Sequence, residues 1–369
     1  YGEESVEYVR SLQNTSVYYL DKGDVVQALE YTKKAYNNSF GDKYDLAHNL
    51  ATIYSKLNHL DSCYFYAKEA WEISKDLYLK NLQQLSLENR FHYVCSNRVS
   101  LGLTLPRDLL LSHENSEELC RLAYDGILFG KNLIMDCMLG DEAISKLKSI
   151  NWNSIQSYLD KDEVAIEFWS DKSEDLNTGI LIALVLRNEW SSPRVVKISK
   201  DKIYRTLNNI EQTTESYLPL YENIWKDIIE VAQLQKGEKV YISLDDVLTQ
   251  IPIESICDYD YNYVGDKYDI VRVTSTRNIP LVREQMLSSE AILYGGLRYD
   301  CSPVVIQKES GIHNSLNRSI QENLFELMTD SIISELRSTN KYLPWTKTEV
   351  DSIYTILSNS KIIKKIRLY

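Results

Sequence analysis

Apolar and polar positions in the first 75 residues recur with a period of 35. Tyr19 and Tyr54, Ala28 and Cys63, Ala35 and Ala70, and Tyr36 and Trp71 are each 35 residues apart. A turn separates each Tyr from its small residue, and Gly23 and Asn58 fall at equivalent places in the two turns. These residue types best tolerate the left-handed conformation that ends a helix. The spacing predicts two units, each a helix, a tight turn and a second helix. Small residues at 28, 35, 63 and 70 let paired helices approach closely, and the aromatic of the first helix fills the space between units. After Trp71 the period is lost, but helical character persists. Leu77, Leu79, Leu82, Leu85 and Leu87 predict one long, largely buried helix. Pro106 predicts a break, and Leu119, Leu122, Ala123, Gly126, Ile127 and Phe129 predict a second helical block over 117–139.

The pattern then changes class. Residues 164–169, 179–186, 194–198, 239–243, 269–274 and 291–294 read as strands. Between them Tyr217, Leu220, Tyr221, Ile224, Trp225, Ile228 and Ile229 stand at helical spacing. Strands alternating with helices imply a covered, mostly parallel α/β sheet. Residues 301–340 are rich in Ser and Asn, carry one predicted helix over 319–336 and read as an insertion. A short amphipathic helix over 347–357 and a basic strand over 361–369 follow.

The two 35-residue units resemble the tetratricopeptide repeat, with Ser16 and Ala51 where that repeat usually carries Gly. The α/β part resembles the CHAT family of caspase-like cysteine peptidases, commonly found behind such repeats. Six segments carry this likeness in the family's order: 163–168, 221–225, 240–254, 274–277, 293–296 and 343–350. The family's signature turn usually reads Ser-Pro-Asp-Gly, whereas this chain has Ser243, Leu244, Asp245 and Asp246. An Asp in the Gly position is tolerable in a left-handed conformation at about 1 kcal/mol. The family's catalytic pair, a His followed by Gly and a Cys at the ends of successive strands, has no counterpart motif in this chain.

The resemblance implies α-helical repeats followed by an α/β caspase-like domain whose protease half is incomplete. It divides the chain into repeats (1–78), a helical spacer (79–157), the pseudo-protease part of the CHAT domain (158–288) and the start of the protease-like part (289–369), with the insertion at 301–340. The implied function is that of the N-terminal and regulatory portion of a cysteine endopeptidase whose repeats bind a protein partner. The alternative is a non-enzymatic repeat adaptor with a degenerate CHAT domain.

Composition narrows the setting. With 44% apolar and 25% charged residues among 369, the chain is globular and long enough for two or three domains. The longest apolar run, 180–186, falls far short of the about 20 residues a membrane span needs. Forty-one basic and 53 acidic residues give a net charge of −12, which repels nucleic-acid backbones. The first residue is Tyr1 rather than Met, so the chain reads as a processed or excerpted piece. Six dispersed cysteines read as reduced and mostly buried thiols, with Cys301 expected to react first. That favours a cytoplasmic setting; the even count keeps an exported one as the alternative.

Candidate chemistry is sparse. Cys301 and His313 are the only Cys and His in the last hundred residues, but His313 lies in a stretch without strand character, so a surface thiol and a loop imidazole are expected. No two of the five histidines are three or four residues apart, and Gly295-Gly296 lacks a third glycine at nucleotide-binding spacing, so neither metal nor cofactor is expected. Asp258, Asp260 and Asn262 imitate the start of a calcium loop, but Tyr263 replaces its obligatory Gly and a polar hairpin is expected instead. The stronger signal is Asn14 and Asn49, also 35 residues apart and five before each repeat Tyr. In tetratricopeptide folds that position faces the groove, where an amide side chain can donate to and accept from an extended peptide. Two solvated helix asparagines are the ordinary alternative.

Overall fold

The computed structural model describes residues 5–39, 43–97, 104–170, 179–208, 218–284, 290–293, 344–358 and 365–368. They belong to two compact units, 1–283 and 284–369.

In the first unit, α1 (Val6–Asp21) and α2 (Val25–Asn38) form one helical hairpin, and α3 (Tyr44–Lys56) and α4 (Leu60–Gln84) form another. Both turns close with the same pair of hydrogen bonds. Gly23 N donates to Leu20 O and Asp24 N to Tyr19 O; 35 residues on, Asn58 N donates to Ser55 O and His59 N to Tyr54 O, all at 2.9–3.0 Å. Gly23 (φ 78°) and Asn58 (φ 57°) take the left-handed conformation this closure requires. Ala28, Ala35, Cys63 and Ala70 are fully buried. Ser16, where the resemblance leads one to expect Gly, donates its hydroxyl to Ala28 O at 3.0 Å and is hydrogen-bonded with Thr32 Oγ1 at 2.6 Å, which makes a buried polar side chain tolerable there.

The leucine-rich stretch after Trp71 is not one helix. Helix α4 ends at Gln84, and α5 (Leu87–Asn97) starts after Ser86, whose hydroxyl accepts from Asn89 N at 3.4 Å. A local cap thus competes with helix continuation. Pro106 lies in the first turn of α6 (Thr104–Ser112), where its missing N–H has no intrahelical partner to lose. The block predicted over 117–139 is also divided, into α7 (Glu117–Gly130) and α8 (Leu133–Leu139), because Asn132 adopts φ 60°. Short helices α9 (Asp141–Leu147) and α10 (Trp152–Gln156) lead to the sheet.

Strands β1 (Glu163–Ser170), β2 (Ile180–Arg187), β3 (Arg194–Ser199), β4 (Lys239–Ser243) and β5 (Asp269–Arg272) lie in the order β3-β2-β1-β4-β5. The expected mostly parallel sheet is instead mixed: β1–β4 and β4–β5 are parallel, β1–β2 and β2–β3 antiparallel. The cause is connection length. Segments 171–179 and 188–193 are too short for the dozen or so residues of a parallel crossover. Helix α11 (Lys200–Asn208) follows β3. Helix α12 (Leu218–Leu220) continues through a π-helical turn (Tyr221–Trp225) into α13 (Lys226–Ala232), and α14 (Val264–Lys267) and α15 (Ile279–Glu284) flank β5.

Both faces of the sheet are covered, which is why its strands read as near-continuous apolar runs. Val164, Ile166, Phe168, Val240 and Ile242 pack with Ile203, Leu220, Ile224, Trp225 and Ile228. Ala165, Ile182, Leu184, Leu186 and Tyr241 join the helical core of Ala47, Trp71, Tyr78, Leu119, Leu122 and Phe129. One core therefore extends across both 78/79 and 157/158.

In the second unit, β6 (Glu290–Leu293) pairs in parallel with β7 (Lys365–Leu368), and α16 (Pro344–Ser358) precedes β7. The insertion predicted over 301–340 lies outside the described residues.

Candidate functional site

Parallel strands β1 and β4 are in register, with Glu167 opposite Ser243, so both end at one edge of the sheet. Two ion-pair clusters form there, one on each face, because side chains alternate along β1.

On the face towards the first helices, Glu167 is fully buried among apolar residues. Lys131, just past α7, places Nζ 3.0 Å from Glu167 Oε1 and also donates to Phe168 O (2.9 Å) and Ser243 O (3.1 Å). Thr276 N donates to Glu167 Oε2 at 2.7 Å, and Tyr124 OH shares a hydrogen with Thr276 Oγ1 at 2.9 Å. Arg277 continues the chain, donating to Leu128 O at 2.9 Å and pairing with Asp136. Burial lifts the Tyr124 phenol well above its ordinary range and also raises the Asp136 carboxyl, Arg277 offsetting only part of that effect. Thr276 and Arg277 are thus pinned from α7 and α8.

On the opposite face Lys200, 1% exposed, lies 2.8 Å from Asp246 Oδ2 and 3.1 Å from Ser170 Oγ. Ser170 Oγ donates to Asp246, and Ser170 N donates to Asp245 Oδ2 at 3.0 Å. Asp246 has φ 50°. It therefore holds the left-handed turn position in which Gly is usual, and it keeps a carboxylate there for Lys200. Burial pushes the Asp246 carboxyl up, but hydrogen bonds from Lys200 and Ser170 outweigh it and hold the group below its ordinary value.

Neither cluster is arranged for nucleophilic catalysis. An ammonium already paired with a carboxylate is a donor rather than the base that a serine nucleophile needs. Among the described residues the buried thiols are no better placed. Burial raises Cys63 and Cys137 to about 11 and Cys120 to about 12, and Cys120 and Cys257 donate to backbone carbonyls. The His113 ring bonds Ser55 Oγ at 2.8 Å, linking α6 to α3. Among the described residues no cysteine is hydrogen-bonded to a histidine, and no group of three His, Cys, Asp or Glu is arranged to hold a metal ion. The arrangement braces the strand ends against the helices.

The sequence-predicted groove residues are on successive first helices. Asn14 is exposed on α1, in a shallow depression lined by Glu7, Arg10, Ser11, Thr15 and Tyr18; Asn49 is half-buried on α3 and does not line it. Asp258, Asp260 and Asn262 form a polar hairpin, as expected, and the Lys267 ammonium occupies the Asp258 carboxylate where a metal cation would have to bind. Cys301, His313, Gly295 and Gly296 lie outside the described residues. Sequence reasoning missed Lys131, Glu167 and Lys200. Glu167 had a signal, since a carboxylate between Ile166 and Phe168 in an apolar strand demands a buried partner. Lys131 and Lys200 had none.

No family model matches the chain, and no match to a curated protein was found. Among the described residues no helix is long and apolar enough to cross a membrane.

Proposed function

We propose that this chain is the partner-binding and bracing part of a CHAT-type cysteine peptidase: its first four helices hold a protein partner, and its mixed sheet supports a catalytic half. The observation that carries the reading is Asp246. The resemblance demands a left-handed residue at the end of the signature turn, and this Asp stands at φ 50° despite its side chain. Support also comes from the two hairpins with their 35-residue recurrence ahead of the sheet. The paired charges at the strand ends favour bracing over chemistry, because each cation is already matched with a carboxylate.

Partner binding is assigned to the first helices through Asn14 and Asn49. The test uses the complete gene product as bait, and compares one co-purifying protein between wild type and the Asn14→Ala/Asn49→Ala double variant. Weaker retention at an unchanged thermal midpoint supports the assignment. Equal retention contradicts it.

A further inference from the structure

The segment 256–264 is a hairpin closed by a bridge between Cys257 and Tyr263 and by Val264 N donating to Ile256 O at 2.9 Å. Asp258, 5% exposed, organises its interior. Its Oδ1 accepts from Asp260 N and Asn262 N, both at 2.9 Å, and its Oδ2 pairs with Lys267. The backbone of this loop is therefore held in one shape from within.

What the loop displays is aromatic. Tyr259, Tyr261 and Tyr263 are 51%, 59% and 46% exposed. The Tyr259 ring meets Tyr221 edge-on, 5.6 Å between centroids, and its hydroxyl donates to Glu222 Oε1 at 2.8 Å. Tyr261 has φ 60°, a conformation that favours Gly or Asn. A side chain at that position strains the backbone, and the residue is nevertheless held at the surface, more than half exposed. Rigid tyrosines on a fixed backbone bind with little ordering cost, which is the property that makes tyrosine common in binding loops.

Charge selects the occupant. Asp260, Asp266 and Glu222 are exposed around the rings. Lys267 is neutralised by Asp258, which leaves, among the described residues of this loop and of the helix bearing Glu222, the exposed Lys226 as a cation. The whole chain carries −12. We propose that this tyrosine hairpin is a docking surface for an arginine- or lysine-bearing segment of a partner protein. A cationic side chain lies over an exposed ring while Asp260 pairs with it or its neighbour. This surface is separate from the helical hairpins and does not depend on the peptidase reading.

The test titrates the full chain with a short labelled peptide of alternating Arg and Gly, and with its counterpart carrying Gln for Arg. The Arg peptide binds saturably and the Gln peptide does not. Tyr261→Gly weakens the Arg peptide by about tenfold, while its thermal midpoint is unchanged or higher, because Gly relieves the left-handed backbone. Asp260→Asn also weakens binding and flattens its dependence on salt. Wild-type affinity in Tyr261→Gly, or equal binding of the two peptides, overturns the proposal. So does preference for a neutral oligosaccharide over the Arg peptide.

Discussion

Tyr54 of α3 lies flat against Tyr66 of α4, with ring centroids 5.7 Å apart and planes 4° apart. The arrangement recurs one unit earlier, where Tyr19 stacks on Tyr31 at 5.4 Å and 10°. Each pair joins the two helices of one hairpin across its turn. Tyr54 is buried and Tyr19 half-buried. Tyr54→Ala is therefore expected to cost about 3 kcal/mol, and Tyr19→Ala about 1 kcal/mol. Urea unfolding of the two variants checks this; equal losses would show that stacking rather than burial sets the cost.

Asp125 of α7 accepts from Trp152 N at 2.6 Å, the first residue of α10. Burial raises its carboxyl to about 7, the Trp152 amide, Lys75 and Lys68 pulling the other way. The folded value lies above the unfolded one, so ionised Asp125 destabilises the fold. That cost is absent below the unfolded value, grows as pH rises from about 4 to about 7, and is complete above. Asp125→Asn keeps an acceptor for Trp152 and removes the charge. Its thermal midpoint should exceed wild type at pH 8 and match it near pH 4. A variant less stable than wild type at pH 8 would show that the carboxylate is needed ionised.

Lys200 and Asp246 should behave as a unit. Asp246→Gly relieves a left-handed Asp but strands a buried ammonium, and is expected to destabilise by about 3 kcal/mol. Lys200→Met in the same chain should recover much of that loss. The folded Asp246 value is depressed, so its stabilisation is present above the unfolded value and is lost as pH falls through the folded one. Denaturant midpoints of the two single variants and the double variant measure the coupling; additive losses would contradict it.

The strands were legible because covered sheets write themselves as apolar runs: 164–169, 194–198 and 239–243 fall within β1, β3 and β4. The turn positions of Gly23 and Asn58 were legible because few residue types accept positive φ. Direction was not, since parallel and antiparallel strands of a buried sheet share the same pattern; only the short connectors 171–179 and 188–193 carried that information. Tyr31 and Tyr66 also keep the 35-residue period, but the period alone does not say which aromatics meet across a turn. The ion pairs at the sheet edge join residues far apart in sequence, Lys131 with Glu167 and Lys200 with Asp246, and no local pattern encodes them.

Thiol reactivity separates sequence from structure. The sequence placed Cys301, which lies outside the described residues, as the first thiol to react. Among the described cysteines Cys95 alone is exposed, while Cys63, Cys120, Cys137 and Cys257 are buried with raised values. Native protein should show a fast thiol-reagent phase that is diminished in Cys95→Ser, with the buried thiols slow. A fast phase untouched in Cys95→Ser and lost in Cys301→Ser would return the reactive thiol to the sequence expectation.

The proposed reading has residues 1–369 hold a partner and brace, with the peptidase chemistry carried by none of their cysteines. A substrate-like, thiol-directed peptide probe applied to the complete gene product, with the label mapped by mass spectrometry, tests this most directly. The account predicts a labelled cysteine outside Cys63, Cys95, Cys120, Cys137, Cys257 and Cys301, with labelling competed away by excess peptide substrate. Substrate-competed label on any of those six, abolished together with peptide turnover by its replacement with Ala, would contradict it.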